Sequence, residues 1–288
     1  MLVQSLLNGL TMGGIYALVS VGLTIIFGVM KVVNFSQGEC LMVGMYMAYV
    51  LQQFTGLGPY YLMLPVAALT FGLGILIFRL IIKPILGKSL VNFMIVTMGL
   101  AYVLITGVQL IFSPTPLSIQ TTIRTHATII GPYVISTPRV IAIGVMIVVV
   151  LILYTFLKRT DVGRAMRATS ENAEISQMLG INTTRMYMLS FGLGIMMAGL
   201  TGVLLTPTYL IFPAVGNPFK VIAMAVVVMG GLGSVGGAVL AGLFAGVAEA
   251  MIASYYSFEL APGGIFLALI IVLALRPEGL FGKEARKA

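Results

Sequence analysis

Two carboxylates, Glu39 and Glu249, border long apolar segments in this 288-residue chain. A carboxylate in a membrane is expensive and, if it titrates, moves protons. Glu39 ends the polar stretch Asn34-Phe35-Ser36-Gln37-Gly38-Glu39, and Glu249 lies close to Tyr255 and Tyr256, so both are expected near water. Other patterns promise chemistry and do not deliver it. Gly87-Lys88-Ser89 ends like a phosphate loop, but Ile82 stands where the loop needs glycine. Gly231, Gly233 and Gly236 spell G-x-G-x-x-G, yet a dinucleotide site needs a soluble strand-helix-strand unit around them. His126 is the only histidine and Cys40 the only cysteine. That excludes a Ser/His/Asp set, a metal cluster and an intrachain disulfide. No catalytic residue, cofactor or metal is expected.

Composition says where these residues must live. The chain is 59% hydrophobic and only 8% charged, whereas a soluble domain carries about a quarter charged residues. It is expected to be an all-α, polytopic membrane protein, a single domain over residues 1–288 with lipid around it. The net charge of +8 does not point to nucleic acid, because the basic residues fall in short loops, as the positive-inside rule expects. The start, Met1-Leu2-Val3-Gln4-Ser5, has no basic n-region, so the first apolar segment is expected to stay as a helix rather than be cleaved.

Apolar segments are legible at about 6–29, 40–52, 61–82, 91–112, 140–157, 186–205, 219–229, 238–255 and 264–275. The second and seventh are short, which gives eight or nine transmembrane helices. The connection 113–139 carries four prolines, and its stretch 118–123 is expected to pair as a small hairpin. Basic residues cluster at 79–88, at 158–185 and after 275, and these connections are assigned to the cytoplasm. The N-terminus then lies outside and the C-terminus inside.

The stretch 158–185 is a polar island. It holds Lys158, Arg159, Arg164, Arg167 and Arg185 together with Asp161, Glu171 and Glu174. An amphipathic helix over 171–179, ended by Gly180, has the character of a segment that docks into a groove on a soluble partner. Two further stretches interrupt apolar segments. Asn34, Ser36, Gln37, Gly38 and Glu39 form one, and the glycine cluster 230–237, with Gly231, Gly233 and Ser234, forms the other. Paired breaks in the two halves of a transporter mark its central site. Gly233/Gly237 and Gly242/Gly246 also have the G-x-x-x-G spacing of a helix-packing seam.

Three stretches together carry a family resemblance spanning about residues 5–281. Gly163-Arg164-Ala165-Met166-Arg167-Ala168 through Glu174, then Leu179-Gly180-Ile181-Asn182, is similar to the coupling loop of ABC importer permeases, with Glu174 six residues before Gly180. Gly28 to Glu39 resembles the first interhelical motif of the branched-chain amino-acid permeases, especially their H-type subunits, and Gly230-Gly231-Leu232-Gly233-Ser234 resembles their second-half glycine motif. The chain departs from the pattern at Ser36-Gln37, where the family commonly has Ala-His, and at Ile175 and Ser176, which replace two alanines.

The resemblance implies an ABC importer permease fold in the inner (plasma) membrane, carrying leucine, isoleucine and valine. It implies a second, M-type permease, two cytoplasmic ATPases and a periplasmic or extracellular binding protein. The chain itself is then not an enzyme. Arg164, Arg167, Glu171, Ala173, Glu174 and Gly180 would form the coupling loop, which ATP-driven closure of the ATPases would pull. Asn34, Ser36, Gln37, Gly38, Glu39, Gly231, Gly233 and Ser234 would line the pathway. The alternatives are a permease for another amino acid, an amide or urea, and a self-contained secondary carrier or channel.

Overall fold

The computed structural model describes residues 2–119, 127–130 and 133–282. Helices dominate, as the apolar segments dictate. In order they are α1 (Leu2–Met30), α2 (Gln37–Thr55), α3 (Met63–Ile77), α4 (Leu90–Phe112), α5 (Thr137–Arg159), α6 (Asp161–Glu171), α7 (Ala173–Met178), α8 (Thr183–Leu205), α9 (Gly216–Gly230), α10 (Val235–Tyr255) and α11 (Ala261–Leu275). A π-helical turn, Phe78–Ile82, and a 3-10 turn, Lys83–Ile85, extend α3. Among the described residues six helices are long and apolar enough to cross a membrane: α1, α3 with its extension to Ile85, α4, α5, α8 and α10. The apolar helices α9 and α11 are shorter, and α2 is a 19-residue helix with polar residues at both ends. The two short segments of the sequence are thus helices that begin earlier than their apolar runs.

The centre of the bundle is α1, which packs against α10, α8, α9 and α5. Its seam with α10 runs antiparallel: Gly9 meets Val247, Gly13 meets Leu243 and Ala17 meets Gly242. A Cβ on Gly13 would lie 2.7 Å from the Leu243 Cα, and one on Gly246 would run into the Gly13 backbone. Lipid gives no hydrophobic drive to helix association, so close backbone approach through small residues supplies the contact. Gly242 and Gly246 have the seam role that their spacing suggested. At one end of this pair the Ser5 hydroxyl donates to Ser254 Oγ at 2.7 Å. At the other, Gly28 lies against Gly233. Helix α8 gathers α3 and α2 in the same way, with Gly74 on Gly192 and Gly44 on Gly199.

The connections divide between the two ends of the bundle. The 79–88 turn, the helices α6 and α7, the turn 231–234 and the segment 276–282 share the basic end, where the positive-inside rule places the cytoplasm. At the opposite end lies a hairpin, β1 (Ala127–Ile130) with β2 (Tyr133–Ser136), paired antiparallel. The hairpin is therefore later in the chain than 118–123. The β-branched and aromatic runs on either side of Gly131-Pro132 suit strands better than Ser118-Ile119 does. Of the expected hairpin, Ser118 and Ile119 belong to no strand, and 120–123 lie outside the described residues, as do His126 and the basic tail residues Lys283, Arg286 and Lys287. Leu117 pairs instead with Ile211, each amide donating to the other's carbonyl at 2.8 Å.

Candidate functional site: a buried polar break and a helix offered at the basic end

The chain leaves α1 through Lys31, whose φ of 57° reverses its direction, and returns along 31–36. It then starts α2 inside the bundle. Asn34, Ser36 and Gln37 are fully buried and Glu39 is 1% exposed. A buried polar group must find a partner, and most of these do. Asn34 Oδ1 accepts from the Ser36 amide at 3.1 Å and from the Ser36 hydroxyl at 2.8 Å. Asn34 Nδ2 donates to Gln37 Oε1 at 3.3 Å, and Gln37 Nε2 donates to the Gly194 carbonyl of α8 at 3.1 Å. The Phe35 amide donates to Thr97 Oγ1 of α4 at 3.3 Å. Ser36, spent on Asn34, does not cap α2 with its side chain. The break is thus a compact hydrogen-bonded plug bound to three helices.

Glu39 stands in the first turn of α2, where a negative charge suits the helix dipole. Its Oε1 accepts from Lys220 Nζ of α9 at 2.6 Å. Lys220 also reaches Asn217 Oδ1 at 3.3 Å. The pair exists because α9, too, starts inside the bundle: a Cβ on either Gly38 or Gly216 would collide with the other's backbone. Glu39 is therefore buried and ion-paired rather than close to water, which corrects the expectation for it. Lys220 escaped sequence reasoning because it lies within a short apolar segment and its partner is 181 positions away. The one available signal was a lysine interrupting an apolar helix.

The structure does not bring Gly231, Gly233 and Ser234 to this break. They lie at the far end of α9, about 20 Å from Gly216 by helical rise. There Ser234 Oγ accepts from the Gly237 amide at 3.1 Å and caps α10. Gly231 and Gly233 take φ of 97° and 87°, which only glycine adopts readily. The segment 276–282 ties this turn down: the Leu280 amide donates to the Met229 carbonyl at 2.9 Å and the Phe281 amide to Gly230 at 3.2 Å. Gly233 instead lines a small cleft with Gly28, Met166 and Arg167. The second-half element that meets residues 34–39 is thus the start of α9.

The polar island folds as two helices rather than one. Thr160 Oγ1 accepts from Gly163 and caps α6, Asn172 Oδ1 accepts from Ile175 at 3.0 Å and caps α7, and Asn182 caps α8. Glu171 ends α6, so the expected helix over 171–179 is interrupted at Asn172, whose extended backbone breaks it. Buried Met166 anchors α6 to the bundle. Arg164 pairs with Asp161, and Arg164, Arg167, Glu171 and Glu174 are all exposed while Ala173 is half-buried. Beyond them α7 and its C-cap Leu179 carry apolar side chains outward: Ile175 is 54%, Met178 86% and Leu179 75% exposed. Gly180 turns the chain back with φ of 85° and open space where a Cβ would stand.

Glu249 is half-buried and accepts from the Tyr16 hydroxyl at 2.6 Å, beside a cavity of about 380 Å³ walled by Tyr209, Phe212, Phe219 and Phe266. Among the described residues no group of three or more metal-ligating side chains comes together.

Comparison with known proteins places this architecture. The permease BraD of Pseudomonas aeruginosa, named for high-affinity branched-chain amino acid transport, is 32% identical and the match covers 97% of this chain and 95% of BraD. LivH of Escherichia coli, with the same description, is 30% identical over the same shares. A probable LivH of Methanocaldococcus jannaschii is 29% identical over 94% of this chain and 89% of its own length. Among solved structures, PsaBC from Streptococcus pneumoniae in complex with Fab is similar with a TM-score of 0.48 and 16% identity, over 93% of this chain and 89% of that one. Residues 5–275 match the family described as branched-chain amino acid transport system / permease component. The chain is a multi-pass membrane permease and belongs to that family.

Proposed function

We propose that this permease is one membrane subunit of an ATP-driven importer for leucine, isoleucine and valine in the plasma membrane. It works beside an M-type permease, two cytoplasmic ATPases and an external substrate-binding protein. The observation that carries the reading is α7, a short capped helix that, with its C-cap Leu179, holds Ile175, Met178 and Leu179 out at the basic end with no cover from the described residues. Exposed apolar side chains on a rigid mount suit a helix-in-groove contact with a soluble protein. Arg164, Arg167, Glu171 and Glu174 surround it with charge that orients the contact. Because Met166 anchors α6 to the bundle, a pull on α7 is transmitted to α5, α8 and α1. ATP drives the permease only through its different affinity for the two ATPase states, and α7 is where that difference is delivered. The chain carries no ATPase chemistry of its own.

The relatives named for branched-chain amino acids support the substrate. The test is uptake of radiolabelled leucine into proteoliposomes holding this chain with its partner permease, ATPases and binding protein. Uptake that requires both ATP and this chain is expected. Stimulated ATP hydrolysis without leucine uptake moves the substrate to another amino acid, an amide or urea. Uptake by this chain alone overturns the importer reading in favour of a self-contained carrier.

A further inference from the structure

We infer that the Glu39–Lys220 pair is where the permease recognises the two charged ends of an α-amino acid. The Lys220 ammonium receives the α-carboxylate, and Glu39 receives the α-ammonium. This rests on the importer reading above and gives it a place in the bundle. Glu39 is 1% exposed, yet only one of its two carboxylate oxygens has a partner; Oε2 has none. An unpaired buried acceptor is costly and rare in folded proteins. The carboxylate lines a cavity of about 160 Å³ together with Lys220 and Asn217. The remaining wall is mostly hydrocarbon, from Phe35 and from Met98, Ala101, Tyr102 and Ile105 on α4, with the Tyr102 phenol its one further polar group. Charged groups of both signs on one side and hydrocarbon on the other match a zwitterion with an apolar side chain.

The exchange is neutral at every stage. In the empty site Glu39 and Lys220 neutralise each other, so no net charge stands in the membrane, although Glu39 Oε2 still lacks a hydrogen-bond partner. An entering zwitterion brings one charge of each sign and replaces the single pair by two. The positive end of the α9 dipole favours the carboxylate end. An acid or amine of the same shape leaves Lys220 or Glu39 facing a missing partner, so the site discriminates against both. Lys220 is 21% exposed at its side chain and is open to the cavity. The rival use of the pair is a fixed strut holding α2 to α9 where Gly38 and Gly216 cross.

The test uses the complete reconstituted complex. The neutral double variant Glu39→Gln with Lys220→Met removes both charges together and leaves no buried ion unpaired. A strut is served about as well by neutral, well-packed residues, whereas a recognition site is not. We expect the double variant to assemble with its partners and to lose about tenfold to a hundredfold in leucine uptake, with Lys220→Arg retaining more uptake than the double variant. Uptake by the double variant within about twofold of the parent overturns the proposal. A second measurement does not depend on how that variant folds. Asn217→Cys in a Cys40→Ser background places one thiol at the exposed rim of the cavity. Leucine is expected to slow its labelling by a small thiol reagent, and 4-methylpentanoate and 3-methylbutylamine are not. Equal protection by all three, or none by leucine, overturns the proposal. A parent complex that accumulates no amino acid fails the importer reading first, so the two failures are told apart.

Discussion

Gln37 shows what single residues contribute to the break. Its side-chain amide donates to the Gly194 carbonyl and its oxygen accepts from Asn34, so one residue joins α1's exit to α8. Gln37→Leu keeps the volume and orphans both partners. We expect a loss of about 1–3 kcal/mol, read as a lower melting temperature of the purified permease. The same substitution at Gln53, which lies in the exposed last turn of α2, is expected to shift melting by less than about 0.5 kcal/mol. The break therefore depends on polar residues that the membrane would otherwise expel, and they are retained because each is paired.

At the scale of elements, α7 is stabilised by its cap and its turn more than by its six residues. Asn172→Ala removes the acceptor for the Ile175 amide and is expected to cost about 1 kcal/mol of local stability. It would appear as faster hydrogen exchange over 173–178. Gly180→Val forces a branched residue into left-handed backbone, at about 1–2 kcal/mol. Co-purification of the ATPase subunits with the permease should fall in both variants, and in Met178→Asp, while the membrane helices keep their melting behaviour. If the ATPases bind all three variants as they bind the parent, α7 is not the docking element. These elements differ in how far the sequence revealed them. The long spans were legible because hydrocarbon runs have no other stable home. The island was legible as polar, but its division at Asn172 was not, since an asparagine inside a helical pattern signals a cap only once the next turn is seen to begin there. The early starts of α2 and α9 were hidden because Gln37-Gly38-Glu39 and Gly216-Asn217 look like loop residues, and only their packing against each other makes them helix. Gly231 and Gly233 have the spacing of a break, and the structure places them in a turn at the bundle end, away from residues 34–39, where their positive φ favours glycine.

At the scale of the molecule, the α1–α10 seam joins the first and last thirds of the chain. Gly246→Val puts a branched side chain against the Gly13 backbone, and overpacking of this kind costs about 1–3 kcal/mol. The expected result is a lower yield of monodisperse permease, measured by size-exclusion chromatography. The same change at Gly236, which has no neighbour within reach of a Cβ, is expected to leave the yield near the parent's. The seam and the α2–α9 crossing also set which parts travel together. With α1 wedged between α10 and α8, the halves of the chain are interleaved rather than side by side, and rocking between access states has to move mixed groups of helices.

The reciprocal pairing of Leu117 with Ile211 has a practical side. It binds the stretch after α4 to the stretch before α9, so two connections from different halves form one clasp over the outer end. Residues that exchange both backbone bonds stand about 5.5 Å apart at Cα, within the span a disulfide bridges. Leu117→Cys with Ile211→Cys should close under mild oxidant, and the native thiol is too deeply buried at Cys40 to compete. A stapled permease that still imports at the parent's rate means the clasp rides as a rigid cap through the whole cycle. One that stalls until a reductant is added means the outer gate opens along this line, and the staple becomes a switch for holding the transporter shut.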